Sequence, residues 1–165
     1  MLNKKTMKGF TLIEILVVVA LIAILTAITF IAINPAKNFA DTRNAQRSSD
    51  VVQILNAITQ YTSEQNNTLS SLIALKPSNT AIPTCNASTD PAVYVPLMAF
   101  IGTSAGNVNL TGLVDAYIVG IPYDPSTGVS NGTNTAYKIC QTAGGRVQIN
   151  APGAEGVGKL ITVKR

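Results

Sequence analysis

The stretch from Ile15 to Ile33 carries no charged side chain, and its only polar groups are the hydroxyls of Thr26 and Thr29. Those hydroxyls can bond back to carbonyls of the preceding helical turn, so the whole run is compatible with hydrocarbon. A helix of about 20 residues, rising about 1.5 Å per residue, crosses the roughly 30 Å apolar layer of a bilayer. The run therefore reads as a membrane helix rather than the core helix of a soluble fold. Lys4, Lys5 and Lys8 precede it with no balancing charge directly after it. That asymmetry puts the N-terminus on the cytoplasmic side and the remainder of the chain outside.

One residue at the head of the run conflicts with its surroundings. Glu14 is a carboxylate, and an acid inside hydrocarbon costs on the order of 2.5–3.5 kcal/mol even on lenient insertion scales. It needs a partner. An ordinary secretory signal does not account for the pattern, because such signals have an apolar region of roughly 7–15 residues followed by an Ala-x-Ala-like site. Here the run ends in Ile31-Ala32-Ile33-Asn34-Pro35, and the small residue, Gly9, stands before the run. Cleavage after Gly9 would remove the lysines and create a cationic amine on Phe10, close to Glu14.

Lys8-Gly9-Phe10-Thr11-Leu12-Ile13-Glu14 followed by Ile15-Leu16-Val17-Val18-Val19-Ala20 resembles the prepilin signature of type IV pilins and of the pseudopilins of type II secretion. The resemblance implies that a prepilin peptidase cuts between Gly9 and Phe10 and N-methylates Phe10. It also implies that Glu14 pairs with the Phe10 amine of a neighbouring subunit. The partners implied are membrane lipid before assembly, an inner-membrane assembly platform, and further copies or related pilins in a filament. Detail in the resemblance extends over roughly the first 60 residues, and beyond them only the general layout agrees.

The fold class expected is α+β, a long N-terminal helix packed on a small C-terminal antiparallel sheet, an arrangement the resemblance supplies. Residues 1–9 form a basic leader, 10–33 the membrane or filament-core half of the helix, 34–66 its amphipathic half, and 67–165 the extracytoplasmic globular region. Pro35 predicts a break or kink, since proline removes a helical hydrogen bond and clashes one turn back, near Ile31. Val51, Ile54, Leu55, Ile58 and Tyr61 recur at three- and four-residue intervals and mark the face that packs on the sheet. Arg43 and Arg47 share a side of the helix four residues apart. With Asp41 and Asp50 they are expected to be solvated or to pair between subunits.

Asn66-Asn67-Thr68 weakens the helix, and a Ser/Thr/Asn/Pro-rich connection follows through Pro91, with local structure expected around Leu69 to Leu75. Val93-Tyr94-Val95 is a short strand candidate. Tyr137 to Gln141, Arg146 to Asn150 and Leu160 to Lys164 are better ones, and Gly144-Gly145 between the first two suits a tight hairpin. Cys85 and Cys140 are the only cysteines. Both are expected outside the cytoplasm, where a disulfide between them would close a loop of about 55 residues.

Catalytic signatures are scarce. With no histidine in the chain, Ser-His-Asp and Cys-His machinery and histidine metal sites are excluded. No phosphate loop is present and no cofactor is implied. Asp115 and Asp124 are weak calcium candidates, because hard carboxylate oxygens with nearby backbone carbonyls suit that ion. Asp124-Pro125-Ser126-Thr127-Gly128 is equally ordinary turn chemistry. Asn66, Asn86, Asn109 and Asn131 head N-x-Ser/Thr triplets, which mark surface loops.

The whole chain has 12 Lys+Arg against 8 Asp+Glu and a pI near 9.2, but removing the three leader lysines leaves 9 against 8. The mature chain is close to neutral, and no basic cluster interleaved with aromatics points to direct nucleic-acid binding. Two functional classes remain. One is a structural subunit of a pilus-like filament, with a secretion or DNA-uptake pseudopilin as its close variant. The other is a single-pass anchored binding domain that never polymerises, in which the leader is retained and Glu14 is dispensable.

Overall fold

The computed structural model describes residues 9–64, 67–75, 80–86, 95–156 and 159–165. The chain divides into two compact units, one ending at Phe39 and the other beginning at Ala40. In the first, helix α1 covers Leu12–Ile33, and none of its residues is buried. Its mean hydropathy of 3.1 makes it long and apolar enough, by composition, to cross a membrane. A helix apolar on every side has no inward face, and a bilayer or other helices must cover it. Thr26 and Thr29 donate their hydroxyls to the carbonyls of Ile22 and Leu25 at 2.7 and 2.8 Å, which hides both groups from hydrocarbon.

The helix stops at Asn34, which takes the left-handed conformation at φ 41°. Asparagine tolerates that region, and the residue before a proline is pushed out of the right-handed helical one. Helix α2, Pro35–Ser63, then starts on the proline itself, at the position where a missing N–H is harmless. The Asn34 carbonyl accepts from the amides of Lys37 and Asn38 at 3.1 and 3.3 Å, while the Asn38 side chain donates to the Ile33 carbonyl at 3.0 Å. The break expected at the proline thus falls at Asn34, between the helices, with Pro35 as the first residue of α2.

In the second unit α2 supplies the spine of the core. Val51, Ile54, Leu55, Ile58 and Tyr61 are all buried, as their spacing predicts. They cluster with Ile101, Leu113, Tyr137, Ile139 and Ile149. The helix ends at Ser63, short of residue 66. The hydroxyls of Thr62 and Ser63 bond back to the carbonyls of Ile58 and Gln60, competing with the last helical turn. Thr68 then caps a short helix α3, Leu69–Ala74, through reciprocal bonds with Ser71.

Four strands form one antiparallel sheet in chain order: β1 (Ala99–Phe100), β2 (Lys138–Gln141), β3 (Val147–Ala151) and β4 (Ile161–Lys164). The register aligns Ala99, Ile139, Ile149 and Val163 on the face that joins the core. Gly145, at φ 82°, closes the β2–β3 hairpin by donating to the Thr142 carbonyl at 2.9 Å. Val93 and Tyr94 lie outside the described residues, and Val95 opens a 3-10 turn rather than a strand. All five residues of β3 are buried, so the far face of the sheet is covered as well.

Residues 83–85 run beside the Gln141 end of β2, beyond the short β1, and Gln141 exchanges backbone bonds with Pro83 and Cys85 at 2.9 and 2.8 Å. The Cys85–Cys140 disulfide fixes this segment to the sheet. Closing a loop with a separation of 55 residues contributes up to about 4 kcal/mol by restricting the unfolded chain. Replacing both cysteines with serine is expected to lower unfolding free energy by an amount approaching that figure in denaturant titrations. Unchanged stability would show that the loop is held by its other contacts.

Candidate functional site

The N-terminal site is organised by the start of α1. Thr11 is the N-cap residue, and Glu14 occupies the third helical position. The Glu14 amide donates to the Thr11 hydroxyl oxygen at 3.3 Å, and the Thr11 amide and hydroxyl both donate to Glu14 Oε2, at 2.9 and 2.8 Å. This reciprocal capping box satisfies two amides that the helix end would otherwise leave open. The carboxylate also lies at the positive end of the helix dipole. Its signature, Thr-x-x-Glu before an apolar run, is legible in Thr11-Leu12-Ile13-Glu14, although the charge of Glu14 alone does not point to Thr11. Both Thr11 bonds fall on Oε2, and no bond to Oε1 arises among the described residues. One face of the carboxylate is therefore open to a further donor.

Gly9 and Phe10 precede the helix, and Phe10 is 84 % exposed. A Cβ built on Gly9 meets nothing within 4 Å, and Gly9 is not among the residues with positive φ. Nothing among the described residues requires glycine there. Phe10, Ile13, Val17 and Val18 border an open groove beside Glu14.

A second polar assembly lies in the globular unit, where the sequence suggested solvated charge. Arg47 is completely buried and grips Asp124 side-on, Nε to Oδ2 at 2.7 Å and Nη2 to Oδ1 at 3.0 Å. Nη2 also donates to the Ser126 hydroxyl at 2.5 Å, and Nη1 donates to Asn44 Oδ1 and Glu155 Oε1 at 3.0 and 3.1 Å. Each of the five guanidinium protons thus has an acceptor. Arg43 makes a two-point pair with Glu155, while the Asn44 side chain clasps the Glu155 backbone, accepting from its amide at 2.9 Å and donating to its carbonyl at 2.8 Å. The expectation of solvated or intersubunit arginines is corrected here. Their shared side of α2 faces the 124–126 turn and Glu155 of the same chain.

Burial pushes the Asp124 carboxyl up, but the bonds from Arg47, Ser126 and Thr127 outweigh it and hold the group well below the usual carboxylate range. The pair with Arg43, opposed by partial desolvation and helped by Arg47, brings Glu155 down to about 2. Asp50 is also buried, not solvated, and accepts from the Tyr137 hydroxyl at 2.7 Å. Desolvation raises its pKa against that bond, and burial followed by the Asp50 contact pushes the Tyr137 hydroxyl up.

The calcium candidates are not equivalent. Asp115 is exposed at φ 72°, whereas Asp124 is committed to Arg47 and to the 126–127 amides. Among the described residues no group of three or more His, Cys, Asp or Glu gathers in a metal-binding cluster. Two of the N-x-Thr triplets form Asx turns. Asn109 Oδ1 and Asn131 Oδ1 each accept from the amide and hydroxyl of the threonine two residues on, at 3.0 and 2.7 Å.

Residues 4–30 match a family model described as the prokaryotic N-terminal methylation motif. No curated protein and no solved structure matches the chain.

Proposed function

From a chain that carries the type IV pilin and pseudopilin signature at residues 4–30, we propose a structural subunit that is cut between Gly9 and Phe10, N-methylated on Phe10, and polymerised through α1 into a pilus-like filament. The observation that carries this reading is α1 itself, a helix with no buried residue and one carboxylate in its first turn. Such a helix is covered first by lipid and then by the same helix of other subunits. In this reading the N-terminus is cytoplasmic and the globular unit faces outward. Prepilin peptidase and an inner-membrane assembly platform act on the N-terminal segment. Gly9 supports the processing step, because the demand for glycine comes from outside the fold.

Glu14 in this scheme keeps its bonds to Thr11 through Oε2 and accepts the Phe10 amine of a neighbour through Oε1. An unmatched amine and carboxylate in an apolar bundle are both expensive, so the pair sets axial register. The same N-terminal features serve a secretion or DNA-uptake pseudopilin, whose difference lies in the machine that extracts the subunit. Intact-mass measurement of membrane-extracted protein is expected to give an N-terminus at Phe10 carrying one added methyl. A mature protein that begins at Met1 would instead establish the non-polymerising anchored domain.

A further inference from the structure

The face of the sheet turned away from the core holds polar groups that the fold leaves unanswered. Alternation along β2 and β3 puts Lys138, Cys140, Gln148 and Asn150 on that face, with Lys138 opposite Asn150 and Cys140 opposite Gln148. Lys138 is only 9 % exposed, and no carboxylate pairs with it among the described residues. Its ammonium donates to the Val95 carbonyl at 3.0 Å and lies 4.4 Å from the centre of the Phe100 ring. Asn150 is completely buried and accepts from Gln148 Nε2 at 3.1 Å, while its own Nδ2 has no acceptor among the described residues. Buried donors are seldom left unspent. This one and the unpaired cation both neighbour Cys140 on the sheet, Lys138 along the strand and Asn150 diagonally across it.

The Cys85–Cys140 disulfide is itself asymmetric. Cys140 is completely buried, whereas Cys85 is partly exposed. A thiolate arriving from solvent therefore meets the Cys85 sulfur first, and Cys140 is the leaving group. Burial alone makes a thiolate a poor leaving group, and a nearby cation with a free donor makes it a better one. The Pro83 carbonyl and the Cys85 amide are bonded to Gln141 without help from the sulfurs. Opening the disulfide leaves those bonds in place, so the two cysteines remain side by side.

We infer that Cys85–Cys140 is a thiol–disulfide exchange site, attacked at Cys85 by an external thiol, with Cys140 leaving as a thiolate among Lys138 and Asn150. The thiol loses its proton to solvent and its sulfur bonds to Cys85 Sγ. The bond between the two cysteine sulfurs breaks, and its electron pair goes to Cys140 Sγ. The external sulfur is oxidised and Cys140 is reduced. Return attack by Cys140 on Cys85 expels the external thiolate and restores the bond. This chemistry does not depend on the filament reading.

The test uses the full oxidised chain in detergent micelles, exposed to glutathione, quenched with acid, alkylated and digested for mass mapping. Glutathione is expected on Cys85 and the alkyl group on Cys140. An adduct on Cys140, an even split between the two, or no adduct under native conditions would overturn the assignment, and this measurement needs no variant. The opening rate of Lys138→Met, divided by the rate of the same chain in denaturant, is expected to be at least about threefold below the parent's ratio, because the departing thiolate loses its cation. A lysine that only braced the sheet would act in the opposite direction, since a loosened fold exposes the disulfide. An unchanged or faster ratio in folded Lys138→Met would also overturn the assignment.

Discussion

A Glu14→Val chain is expected to insert and to be cut after Gly9 as the parent is, yet to yield at least about 100-fold fewer filaments. The magnitude follows from leaving one charge of a buried pair unanswered, about 3–5 kcal/mol at each subunit contact, where 1.4 kcal/mol is tenfold. Valine also loses the capping box, so a second substitution separates the two roles. Glutamine at the third helical position still accepts from Thr11, as a capping box permits. Glu14→Gln should therefore preserve the helix start and still fail to assemble, because its amide bears no charge to meet the amine. Thr11→Ala does the reverse, losing about 1 kcal/mol of cap while keeping the carboxylate. Filament counts by electron microscopy, set beside the processed fraction on a gel, decide the matter. Normal filaments from Glu14→Gln would assign Glu14 to capping alone.

Asp124→Ala is expected to destabilise the globular unit by about 3–5 kcal/mol, because it removes the two-point buried partner of Arg47 and leaves only the partly exposed Glu155 to answer that charge. Restoring an apolar match with Arg47→Met and Asp124→Leu together should recover most of that loss, since desolvation of both ions is removed along with their attraction. Denaturant titration of the single and double variants measures the difference. A single variant as stable as the parent would mean that water reaches Arg47.

The same pair governs acid behaviour. Asp124 and Glu155 both titrate lower in the fold than in the unfolded chain, where carboxyls sit near 3.9–4.3. Their stabilisation is complete above that range; Glu155 loses its share as pH falls to about 2, and Asp124, held lower, goes on losing its share below that. Asp50 has the opposite sign. Its raised value favours the fold at low pH, and that contribution is lost as pH rises from the ordinary carboxylate range up through the raised value. With two groups against one, the parent is expected to lose stability on acidification, and the Arg47→Met, Asp124→Leu chain should lose less.

The elements visible in the sequence are those specified by neighbours along the chain. Ile15 to Ile33 announces α1 by composition, Val51 to Tyr61 announces the buried stripe by spacing, and Gly144-Gly145 announces a hairpin by turn chemistry. The disulfide follows from there being two cysteines. What stayed hidden depends on partners far apart. Arg47 meets Asp124 across 77 positions, and charged residues are so seldom buried that spacing alone suggests solvent. Strand β1 has two residues, too few to show alternation, and exists through its pairing with Lys138 and Ile139. At the N-terminus the Thr11–Glu14 capping box is local and its signature stands in the sequence, yet the charge of Glu14 draws attention away from Thr11.

The residue at position 34 also divides the helical cooperativity of the chain. Helix formation spreads cheaply from turn to turn once a nucleus exists, and an interruption forces a second nucleus. With Asn34 left-handed and Pro35 lacking an amide proton, no helical backbone bond relays order from α1 into α2 through that point. Fraying, extension or a change of solvent along α1 therefore stops at Asn34 instead of unzipping the helix that carries Val51, Ile54 and Ile58. A change in what surrounds α1 therefore leaves the phase of α2 unaltered.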